Sequence, residues 1–166
     1  MRCGKPAQCF MEKADSLLAT ADLLESVLIY LRFEGEVGRG KNLKRAYGLL
    51  AGLQEALRKR FGQGERNIFP YLKRHIPRLE HALNLLCWEQ GEVIQRLESF
   101  ERQAFEVQKL EKAGRQRKVL GLYRDGVYMA YMIRHCLKVE RDLIKASVPI
   151  LQKAERQQLD KWLARA

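Results

Sequence analysis

The sequence predicts an all-α protein, an up-and-down four-helix bundle followed by a short C-terminal helix, and three observations carry that reading. Apolar residues recur at helical spacing through four long segments, no stretch sustains the alternation of a half-buried strand, and glycines or prolines separate the segments. The 166 residues are about the length of one domain, in which roughly 70% of the unfolded surface can be buried without disulfides. The whole chain, 1–166, is therefore read as a single domain.

The first helix is expected from about Ala7 to Phe33, with Phe10, Leu17, Ala21, Leu24, Leu28 and Leu31 on one stripe, and it ends at Gly35, Gly38 and Gly40. The second runs from about Asn42 to Lys73 and turns Leu50, Leu53, Leu57, Phe61, Ile68 and Leu72 inward; Pro70 should bend or loosen its last turns. Pro77 suits the opening of a third helix that reaches about Lys112 through Leu79, Leu83, Leu86, Val93, Ile94 and Leu97. Gly114 marks the next turn. The fourth helix spans about Gln116 to Ala146 with Tyr128, Met132, Val139 and Leu143 inward, and Pro149 separates it from an amphipathic tail helix, Leu151 to Ala164.

Hydrophobic residues make up 46% and charged residues 31%, with only 4 Pro, which excludes a disordered tail. The longest apolar runs, such as Ser26 to Leu31, are too short to cross a bilayer, and Met1 to Phe10 lack a signal-peptide core, so the chain is expected in the cytosol. In that reducing compartment Cys3, Cys9, Cys87 and Cys136, which show no paired zinc-ribbon spacing, read as free thiols. Lys and Arg outnumber Asp and Glu by 31 to 20, a formal +11, with clusters at Arg39 to Arg45, Arg58-Lys59-Arg60, Lys73-Arg74 and Arg115 to Lys118. Such a surface attracts polyanions or acidic proteins, yet no nucleic-acid-binding motif accompanies it, and a solvated basic face is the plainer reading.

An inward stripe should be apolar, because burying an unpartnered polar group costs on the order of 1 to 3 kcal/mol even when it is neutral. At about 100° per residue, Glu65 falls within about 40° of Phe61, Ile68 and Leu72, in the middle of the second helix's buried face. The same count places Gln90 between Leu86 and Val93 or Ile94, and His135 between Met132 and Val139, with Glu140 toward one margin of that face. Three helices thus each present a polar group to the interior. The group reads either as a hydrogen-bonded core trio that satisfies Glu65 or as a set of metal ligands.

These residues resemble the hemerythrin-like family over roughly Leu17 to Leu151. Phe61-Gly62-Gln63-Gly64-Glu65 followed by Phe69-Pro70 is similar to that family's second-helix His-x3-Glu and Phe-Pro, with Phe61 at a lost histidine position. His135 followed by Glu140 fits the fourth-helix pattern, while Gln90 and Ile94 stand where the third helix carries its histidines. The first helix has no histidine near Leu24 or Leu28. The resemblance implies a metal set of Glu65, His135 and Glu140, with Gln90 as a carbonyl ligand or a supporting group, and no catalytic residue. His75 and His81 read as surface or boundary histidines, and Cys87 and Cys136 as buried thiols close to the polar layer.

Three functional expectations follow. The first is a non-enzymatic hemerythrin-like domain with a degenerate centre, metal-free or binding one metal weakly, in a sensing or scaffold role. The second is a non-haem iron or di-iron protein of oxygen or redox chemistry. The third is a basic adaptor that engages an acidic protein or polyanion.

Overall fold

A computed structural model describes residues 6–33, 36–109 and 112–165; for 36–39, 108 and 112–117 only the backbone is described. All regular structure among the described residues is helical: α1 (Pro6–Phe33), α2 (Glu36–Gln63), α3 (Phe69–His75), α4 (Glu80–Lys109), α5 (Lys112–Ser147) and α6 (Lys153–Arg165). A single π turn, Gly64–Ile68, joins α2 to α3 without interrupting the helical path, and a 3-10 turn, Pro77–Leu79, leads into α4. No helix among the described residues is long and apolar enough to cross a membrane.

Several boundaries differ from those the sequence predicts. Gly38 and Gly40 lie inside α2, which already begins at Glu36, and Gly114 lies inside α5, which begins at Lys112. A glycine costs an exposed helix only about 1 kcal/mol, so flanking residues that propagate the helix carry it through. Gly35 lies outside the described residues, as do Cys3 and the other residues before Pro6.

The deformation expected at Pro70 sits ahead of the proline. Pro70 has no N–H to offer the carbonyl four residues back and its ring would collide with it. The backbone widens by one residue there, so that the Phe69 N–H bonds to the Gly64 carbonyl, and α3 then continues past Pro70 to His75. Phe69 folds against Gly64, where a Cβ would stand 2.9 Å from the ring. Ile76, forced out of the α region by the following Pro77, closes this stretch at φ −135°, ψ 74°.

The long helices α1, α2, α4 and α5 surround one hydrophobic cluster. α1 packs on α2 and α5, and α4 packs on the same two, which leaves α2 and α5 on opposite sides of the core. Cross-helix pairs descend along one helix as they ascend its neighbour, so these neighbours run antiparallel. Arg134 pairs with Glu25 and Arg141 with Asp15 between α5 and α1; His135 pairs with Glu89 and Lys118 with Glu106 between α5 and α4. α6 lies against α1 through its buried Leu159 and Leu163. The Glu155 carboxylate accepts the Gln152 N–H at its start, half of a capping box, while the Glu155 carbonyl accepts from the Tyr71 hydroxyl at 3.0 Å.

The buried face of α5 is rotated by about one residue, roughly 100°, from the expected stripe. Met129, Ile133, Leu137, Glu140 and Ile144 are fully buried, whereas Met132, Val139 and Leu143 are half-buried and Tyr128 is exposed. Apolar residues occupy both phases of this helix, and the close approach of α1 and α4 selects one of them. Gly126 marks that approach: a Cβ there would run into Leu28 of α1 and stand 2.9 Å from Phe100 of α4.

Gly126→Ala should therefore destabilise the protein by about 1–3 kcal/mol through overpacking. Gly48→Ala, at an exposed α2 position with nothing within 4 Å, should stabilise it by about 0.5–1 kcal/mol. Urea unfolding midpoints of the two variants against the parent test both signs.

Candidate functional site

The polar centre of the molecule is built on Arg60, from the end of α2, and Glu140, from α5. Arg60 Nε donates to Glu140 Oε2 at 2.6 Å, with their side chains 3% and 0% exposed. Arg60 Nη1 donates to the Phe10 carbonyl of α1 at 3.0 Å, and the guanidinium lies over the Phe10 ring at 3.6 Å from its centre. This pair spans the core between two helices that are not neighbours. Gln90 of α4 faces the same carboxylate and favours its charged form, but stops short of hydrogen-bond geometry: Gln90 Nε2, Glu140 Oε1 and Arg60 Nη2 are left without hydrogen-bond partners.

Burial pushes the Glu140 carboxyl above its ordinary range, against the opposing attraction and hydrogen bond of Arg60 and the influence of Gln90. The nearby Cys136 thiol is pushed up to about 12, first by burial and then by the Glu89 and Glu140 carboxylates. Cys87 is raised too, by burial foremost. Both thiols are thus held protonated at neutral pH, which suits packing and disfavours nucleophilic or metal-binding use.

The structure separates Glu65 and His135 from Glu140, while Gln90 lies beside Glu140 and shares a cavity with Glu65. Glu65, expected at the middle of the buried face, is exposed. The π turn is the reason: a fixed 100° step places Glu65 inward, but the wider turn gives the inward position to Gly64, which is buried, and resumes the stripe at Ile68, Phe69 and Leu72. His135, expected inward between Met132 and Val139, has a side chain 41% exposed; its Nε2 lies 3.4 Å from Glu89 Oε2 and its ring stacks beside Tyr131. The rotated phase of α5 puts Glu140 inward in its place. Gln90 is buried, as its position on α4 implies.

Phe61, Glu65, Cys87, Gln90 and Ile94 share the walls of a cavity of about 370 Å³ between α2, the π turn and α4, and neither His135 nor Glu140 lines it. The positions drawn from the second and third helices of the family pattern therefore share one cavity, while Glu140 faces Gln90 from outside it and His135 pairs with Glu89. His75 bonds Glu155 at 2.8 Å in a partly exposed pair, and His81 is exposed.

The residues present do not fit the iron that the resemblance implies. Glu140, the one buried carboxylate among the described residues, has Oε2 held by a guanidinium, while Glu65 is exposed and His135 is half-buried and turned to Glu89. Among the described residues no three His, Cys, Asp or Glu side chains come together as a metal would require.

Arg60 is the buried charged residue that the charge-cluster reading missed, since Arg58-Lys59-Arg60 reads as a solvated basic run. A signal was available: Arg60 follows Leu53 by two turns and falls within about 20° of it on the buried stripe. In comparisons with known proteins, no protein-family model matches the chain and no curated protein is significantly similar to it. Fold and site together define a class, an all-helical protein centred on a buried arginine–glutamate pair.

Glu140→Leu alone should cost about 3–5 kcal/mol by stranding Arg60, whereas the Arg60→Met/Glu140→Leu double variant should match the parent to within about 1 kcal/mol. A double variant as unstable as the single would show that the pair is not the source of the loss.

A carboxyl whose folded-state pKa is raised stabilises the fold fully below its unfolded value of about 4.3 and loses that contribution as pH rises through the folded value. Arg60→Met removes the opposing attraction on Glu140. Its stability should fall more steeply than the parent's between about pH 4 and pH 7, and the double variant should show no such added slope. Urea midpoints measured across that range decide it.

Proposed function

We propose that the chain is a hemerythrin-like, up-and-down four-helix bundle whose centre has exchanged a metal for an internal cation, and that it acts without metal as a non-catalytic scaffold or sensing domain. The antiparallel α1, α2, α4 and α5 around one core support the bundle. One observation carries the rest: the 2.6 Å bond between Arg60 and Glu140, with both side chains buried. Glu140 stands at the fourth-helix carboxylate position of the resemblance, and the charge that a metal ion would neutralise is neutralised by a guanidinium. An arginine stays charged at any physiological pH and offers no open coordination position, so a centre of this kind holds helices in register and activates nothing.

The reading is consistent with the two thiols held protonated and with the absence of a converging donor set among the described residues. Protein purified without chelators or a metal-affinity tag should contain far less than one iron per chain. It should take up none tightly when ferrous iron is added anaerobically, and its melting temperature should not move on addition of a strong chelator. Stoichiometric iron, or a chelator-induced loss of stability, would overturn the proposal.

A further inference from the structure

Two contacts fix how α4 and α5 lie side by side: His135 Nε2 stands 3.4 Å from Glu89 Oε2, and two turns away the Arg96 guanidinium lies over the Tyr128 ring at 5.1 Å from its centre. Along that seam the outer face of the two helices is aromatic. Trp88 is 66% exposed, Tyr131 58%, Leu85 50% and Tyr128 47%, and Tyr131 stacks beside His135, whose side chain is 41% exposed. Exposed Trp and Tyr with an Arg among them is the composition of an interface core and not of a surface meant for water.

We propose that this face is the interface of a two-fold homodimer, in which α4 and α5 of one copy pack on α4 and α5 of a second. Charge selects the occupant. The chain carries a formal +11, but the excess lies elsewhere: α2 has seven Arg and Lys to two Glu, whereas α4 has six Glu to three Arg and Lys. Within the face the ions are matched, Glu89 with His135 and Glu92 with Arg96 at 2.6 Å, and the exposed ions next along α5, Lys138 and Asp142, are of opposite sign. A charged partner finds no unmatched ion here, and an acidic one is drawn to α2 instead. A second copy, repelled at its basic faces, meets no positive field at this one, and about a two-fold axis the aromatic side chains of one copy meet those of the other. The area suffices. These five side chains leave roughly 500 Å² open, and a standard interface takes about 800 Å² from each partner; the half-buried Met132 and Val139 and the paired ions of the seam supply the remainder. The inference stands apart from the metal-free reading, so the iron assay and the measurement below can fail separately.

The test is sedimentation equilibrium over about 1–200 μM protein, at about 0.05 M and 0.5 M salt. An equilibrium between the 19.3 kDa chain and its dimer is expected, and salt should favour the dimer by screening the repulsion between two basic copies. Trp88→Ser/Tyr131→Ser should weaken it at least about thirtyfold, because each substitution acts twice in a two-fold interface, with the helical circular-dichroism signal unchanged. Tyr30→Ser/Phe33→Ser, which removes apolar surface of 59% and 72% exposure from α1, should leave dimerisation as it was. A chain monomeric throughout, or a dimer that the Trp88/Tyr131 variant retains, would overturn the proposal. So would association that weakens as salt rises, which is ionic attraction between acidic and basic helices, or equal loss in both double variants, which is unspecific adhesion of apolar surface.

Discussion

Arg60 and Glu140 place two full charges where the rest of the protein is hydrocarbon, and most of what is particular to this fold follows from that constraint. Each ion loses several kcal/mol of hydration on burial, and the loss is recovered only if the two remain in contact with good geometry. Because α2 and α5 face one another across the core without packing directly, the contact acts as a diagonal tie. Its third point, the Phe10 carbonyl, brings α1 into the same arrangement. A shift of one turn in any of these helices would leave a charge stranded, so the pair penalises every other register. The remaining layers, Leu50, Leu53, Leu57, Leu86, Val93 and Ile133 among them, tolerate exchange of one apolar group for another and carry no such instruction.

The same pair sets what the centre is able to do chemically. Burial raises the proton affinity of the Glu140 carboxyl while Arg60 holds Oε2, so Oε1 is the part of the group left unbonded. Cys136 and Cys87 are kept as thiols by the burial that surrounds them. The polar capacity left over lies at the edges of the pair: Gln90 Nε2 and Glu140 Oε1 toward α4, and Arg60 Nη2.

The surface has its own division of labour. The expected solvated basic face exists at Arg58, Lys59 and Arg66, which are exposed, but the run is not uniform, because its third member turns inward. Exposed pairs such as Arg96 with Glu92 add only about 0.3–0.5 kcal/mol each. They trim the helices without deciding how they assemble.

Helical class, the four long segments and the short tail helix were legible in the sequence, because apolar spacing over twenty or more residues is a property of the chain alone. So was the burial of Gln90, whose neighbours Leu86, Val93 and Leu97 lie on an undistorted helix. What escaped was phase. In α5 two apolar faces compete, and only the contact with Leu28 and Phe100 at Gly126 decides that Glu140 and not His135 points inward. In α2 a single widened turn before Pro70 moves Glu65 out and Gly64 in, an effect that a constant 100° step cannot contain. Arg60 lay on the buried stripe in the sequence, yet the partner that makes its burial tolerable comes from a residue eighty positions later. A sequence determines periodicity locally; which polar groups meet in the core is decided by helices that touch only once the chain has folded, since the desolvation they must offset exists only there.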